Sequence, residues 1–89
     1  METTIVTIVR ADGWEERHEL LTNRVLHDVG ELLESQRLDV YRVKGADVLV
    51  APDHMAPEHA LLPLNRIAVG LTQQAIRGDI ALIPAEALR

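Results

Sequence analysis

The chain has 89 residues, 9 basic against 14 acidic side chains, a formal charge of −5 and no cysteine. One domain spanning residues 1–89 follows from that length, with two packed layers as the expected limit and roughly 5,200 Å² of folded surface. Without cysteine, disulfides, thiolate-held zinc, iron–sulfur clusters and thiol nucleophiles are excluded, and a reducing compartment is the natural setting.

Residues 3–11 (TTIVTIVRA) are β-branched on both alternating faces and predict a strand covered on both sides. Asp12 and Gly13 supply the positive-φ pair of a tight hairpin. The polar run over residues 14–20 then returns as an edge strand whose charges discourage further pairing.

From Thr22 to about Arg37 the period changes. Val25, Leu26, Val29, Leu32 and Leu33 form one helical stripe. Thr22 or Asn23 is expected to cap it, Arg24 to pair with Asp28, His27 to pair with Glu31, and Arg37 to close the last turn. Gly30 weakens the middle by up to about 1 kcal/mol. Two further strands, over residues 38–43 and 46–51, flank Lys44 and Gly45 as a second hairpin.

Residues 52–57 break the pattern and, with Glu58 and His59, make the longest irregular segment. Leu64 to Leu71 predicts a short helix capped by Asn65, with Leu64 stapled on Val69. Arg77, Gly78 and Asp79 turn into a strand over residues 80–83, too apolar to be exposed, and residues 84–89 add one helical turn.

These elements describe an α+β fold: a small, mostly antiparallel sheet of about five strands, with one main helix on one face and a second short helix. Ile5, Val9 and Leu20, with Tyr41 or Val43, leave apolar side chains on the other face, which predicts self-association as a homodimer or higher oligomer. No run approaches the ~18 apolar residues of a membrane span. Glu2 directly after Met1 departs from a signal peptide, so a cytoplasmic protein without membrane contact is expected.

Little in the chain supports catalysis. The only serine, Ser35, sits at a predicted helix end rather than on a strand-to-helix elbow, and the paired carboxylates Glu15/Glu16 and Glu31/Glu34 lie on solvated faces. The isolated glycines make no phosphate cradle. One Trp, one Tyr and no Phe give no stacking platform, so nucleic acid is a poor partner, and −5 falls short of a DNA mimic. No cofactor is expected.

The densest polar cluster is Asp53, His54, Glu58 and His59. The histidine spacing fits no established zinc pattern, so a solvated loop is the plainer reading and a metal-binding module or metal-dependent hydrolase the alternative. The residues favoured for contact with a protein or small molecule are Trp14, Tyr41 and this loop.

The segment Leu62-Pro63-Leu64-Asn65-Arg66-Ile67-Ala68, followed by Ile76-Arg77-Gly78-Asp79-Ile80, resembles the Leu-Pro-x-Asn-x-x-Ala and Ile-x-Gly-Asp pattern of the domain of unknown function 3846 family. That family consists of small phage, plasmid and actinobacterial proteins. The resemblance covers nearly the whole chain and implies a compact α+β fold but no settled activity. It singles out Pro63, Asn65, Ala68, Gly78 and Asp79, which a helix cap and a turn also explain as structural. Where the family often carries paired glycines after the first helix, this chain has Glu34-Ser35-Gln36-Arg37. The reading that results is a non-enzymatic binding module, an accessory or counter-defence factor of a mobile element.

Overall fold

Alternating β-branched residues suit a strand that pairs on both edges, and the first strand does so. The computed structural model describes residues 1–43, 45 and 47–88. In chain order its elements are β1 (Thr3–Val9), β2 (Glu15–Leu21), α1 (Val25–Leu32), β3 (Leu38–Arg42), β4 (Asp47–Pro52), α2 (Arg66–Thr72) and β5 (Ile80–Pro84). Short 3-10 turns cover Thr22–Arg24, Pro57–Leu61 and Ala85–Leu88. The described strands form one five-stranded sheet, ordered β2-β1-β5-β4-β3, with every pairing antiparallel.

The last strand occupies the centre. Ile80, Ala81 and Ile83 are fully buried, which only a strand covered on both faces allows. Polar β2 takes one edge, as its charges require.

One core lies under α1: Val25, Val29 and Leu33 pack on Val6, Ile8, Val48, Val50, Ala81 and Ile83. The opposite face is not open as the sequence suggests. Ala68 of α2 and Ile76 cover Val9, Leu49, Ala51 and Ile80, with Tyr41, Val43 and Leu82 at the margin. The molecule therefore has partial cover on both sides of the sheet rather than two layers. Leu20 belongs to the α1 side, because it pairs with buried Thr4, and of the residues expected on the second face Ile5 is the one left half-exposed.

The first hairpin turns through three residues. Arg10 N–H donates to Trp14 O, Gly13 N–H donates to Arg10 O, and Gly13 alone takes a positive φ of 95°. This is a type I turn with a glycine bulge rather than a two-residue turn. In the second hairpin Gly45 has φ 96°, while Lys44 and Ala46 lie outside the described residues.

Across the first hairpin, Arg10 forks onto Glu16 with two 2.9 Å bonds and reaches Asp79 with a third. The paired guanidinium, and next His18, hold the Glu16 carboxyl down at about 2. The Arg10 guanidinium is raised by Glu16 first and Asp79 second.

The main helix stops at Leu32, so Arg37 closes nothing, and neither Thr22 nor Asn23 caps it. Thr22 Oγ1 instead hydrogen-bonds Thr4 Oγ1 at 2.7 Å, fastening the 3-10 turn to β1. At the other end Ser35 N–H donates to Gly30 O and Glu34 N–H to Glu31 O, a Schellman closure with Glu34 at φ 54°. Gly30 has a packing reason: a Cβ there would lie 3.0 Å from Ser35 O. Glu34→Gly is expected to stabilise the fold by about 0.5–1 kcal/mol, since a carboxylate side chain gains nothing in the left-handed region. A higher urea midpoint at unchanged slope is the readout.

Candidate functional site

The motif positions near the C-terminus gather around one side chain. Asn65 is 1% exposed. Its Oδ1 accepts from Ala68 N–H at 3.1 Å, the expected cap, but its Nδ2 also donates to Val9 O and Gly78 O at 3.0 Å. One amide thus fastens the start of α2 to the end of β1 and to the turn before β5. Gly78 N–H donates to Pro63 O, and Asp79 Oδ1 accepts Ala11 N–H while Oδ2 takes Arg10. Pro63, Asn65, Ala68, Gly78 and Asp79 are explained by this clamp. Leu64, expected to staple, is half-exposed and its backbone bridges Arg77.

The favoured contact residues divide between two places. Trp14 stands beside the first hairpin turn, 67% exposed. Asp53 and His54 follow β4 at the open end of the second hairpin, Tyr41 lies on β3 opposite Leu49, and His59 is buried on the Pro57–Leu61 turn. Glu58, exposed on the same turn, and His59 both stay outside the cluster of donors.

Asp39 does join it. It shares a face of β3 with Tyr41, and the β3–β4 register sets Leu38 opposite Pro52, which brings Asp39 beside the segment leaving β4. His54 donates to Asp39 Oδ2 twice, from its backbone N–H at 3.0 Å and its ring Nδ1 at 2.6 Å. Partial burial works to raise the Asp39 pKa, yet the His54 bonds outweigh it and the carboxyl sits below its ordinary value. His54 is raised, first by its bond to Asp39 and then by that carboxylate's charge. Tyr41 is also raised, chiefly by burial and then by Asp39 and Asp53.

A periodicity inside the short helix carries further information. Ile67 and Leu71, at i and i+4 on α2, are 40% and 43% exposed, and Leu64, just before the Asn65 cap, is 45% exposed. They turn away from the sheet that Ala68 faces. Leu64 and Ile67 share a shallow cleft with Ala11, Asp12 and Gly13, so this stripe adjoins the turn that carries Trp14.

On the opposite side, a groove of about 450 Å³ runs between the end of α1 and the start of β3. None of the sequence-predicted contact residues lines it. Among the described residues no helix is long and apolar enough to cross a membrane. Comparison with protein-family models, curated proteins and solved structures finds no match.

Proposed function

We propose that this protein is a non-enzymatic binding module that associates with a second copy of itself through the outer face of α2. The observation that carries this reading is the exposed pair Ile67 and Leu71 on a helix of only seven residues, continued by exposed Leu64 just ahead of its Asn65 cap. A helix covering a sheet ordinarily turns polar side chains outward.

Area supports the same reading. The chain exposes 6090 Å², about 900 Å² more than a monomer of its mass ordinarily does. Each partner in a standard interface gives up roughly 800 Å². A two-fold contact of α2 against α2 would bury the stripe on both copies.

The cysteine-free composition supports a reducing, cytoplasmic setting, and the acidic balance favours a protein or small molecule over nucleic acid as any further ligand. The resemblance over residues 62–80 supports a role as an accessory or counter-defence factor of a phage or mobile element.

Sedimentation velocity from about 1 to 100 μM tests the self-association. A dimer is expected, converted to monomer by Ile67→Glu but not by Leu26→Glu on the α1 side. A monomer throughout, or a dimer indifferent to Ile67→Glu, refutes the reading.

A further inference from the structure

The sheet ends on β3, and the register of the second hairpin fixes which backbone groups face outward there. Asp53 N–H donates to Arg37 O at 3.1 Å, so the positions bonded toward β4 are Arg37, Asp39 and Tyr41. The N–H and C=O groups of Leu38, Val40 and Arg42 therefore point away from the sheet. Pro52 agrees with this phase, because it stands opposite Leu38, where the ladder needs no N–H. Among the described strands β3 pairs with β4 alone.

The two edges of the sheet are not alike. β2 sets Glu15, Arg17 and Glu19 at its exposed positions, the usual guard against further pairing. β3 instead leaves Val40 55% exposed in the middle of the open ladder. Leu38 shares a face with Val40 and lines the groove of about 450 Å³ against α1, where Leu26 and Gly30 supply the apolar wall and exposed Glu31 and Glu34 the charge. No described arginine pairs with either glutamate. An open ladder and an acidic, part-apolar groove thus meet at one edge, between a strand and a helix.

We propose that β3 and the adjoining groove bind an extended, basic peptide segment of a partner protein as a sixth strand. Each feature specifies part of that ligand. The open ladder takes an extended backbone, Leu26, Leu38 and Val40 take an apolar side chain, and the Glu31 and Glu34 carboxylates take a basic one on the same face. The groove lies on the α1 side of the sheet, so binding does not depend on self-association through α2.

The probe is the peptide acetyl-Thr-Val-Thr-Arg-Thr-Val-Thr-amide, which sets valine and arginine on one face, titrated into the isotope-labelled full chain and followed by NMR. Saturable one-to-one binding with a dissociation constant of about 100 μM or tighter is expected. The Val40 and Arg42 amides should shift and gain protection from solvent exchange. Val40→Pro, which removes an outward N–H that the native sheet does not use, should weaken binding tenfold or more. Should that variant not fold, the same peptide N-methylated throughout keeps its side chains and loses its ladder donors, and on the unmodified chain it should bind at least tenfold more weakly. Glutamate in place of the peptide arginine should likewise weaken binding, and Ile67→Glu in the protein should leave it unchanged. Absence of saturable binding up to millimolar peptide overturns the proposal. So do equal affinities for the N-methylated or glutamate peptide, shifts centred on β2 or α2, or binding lost in Ile67→Glu.

Discussion

Asn65→Ala is expected to destabilise the fold by roughly 3–5 kcal/mol, far more than the ~1 kcal/mol of an ordinary lost helix cap. The difference lies in what the amide leaves behind. Removing it strands Val9 O, Gly78 O and Ala68 N–H at a position 1% exposed, where water does not readily replace it. Asn65→Asp separates the two roles. A carboxylate still accepts from Ala68 N–H but cannot donate to the two carbonyls, so the aspartate variant should fare about as badly as alanine. Urea unfolding monitored by circular dichroism provides the comparison. Near-native stability of Asn65→Asp would reduce Asn65 to a cap and remove the clamp between α2, β1 and β5.

Reading the sequence as a string reaches the parts of this fold that local pattern determines. The α1 stripe apart from Leu26, which is left 41% exposed, both hairpins, the burial of the last strand and the cap at Asn65 all follow from period, turn residues and apolar runs. Long-range hydrogen bonds are different. Arg10 meets Asp79 across 69 positions and Asn65 meets Val9 across 56, and no local period encodes such a meeting.

Asp39 escaped notice for a related reason. Its chemistry depends on the exact pairing of β3 with β4, since a slip of one residue would send it to the other face. The outer side of α2 was legible as the i, i+4 pair Ile67 and Leu71, but that pair reads equally well as core. The end of α1 was hidden because a glutamate, not a glycine, holds the left-handed position at residue 34.

Gly78→Ala should cost about 2–4 kcal/mol, combining two independent penalties. The backbone there has φ 82°, which disfavours any Cβ, and a Cβ would fall 2.9 Å from Leu62 Cδ1. Gly13 supplies the control, with φ 95° and nothing within 4 Å of the added atom. Gly13→Ala therefore carries the conformational cost alone, about 1–2 kcal/mol. The excess at Gly78 reports the crowding against Leu62, and Leu62→Ala in the same chain should recover it. Moving Gly78 would also displace its carbonyl from Asn65 Nδ2 and its N–H from Pro63 O, so part of the loss is expected to be non-additive with Asn65→Ala. Equal costs at Gly13 and Gly78 would mean that Leu62 yields freely, and the motif glycine would then be required for its backbone angle alone.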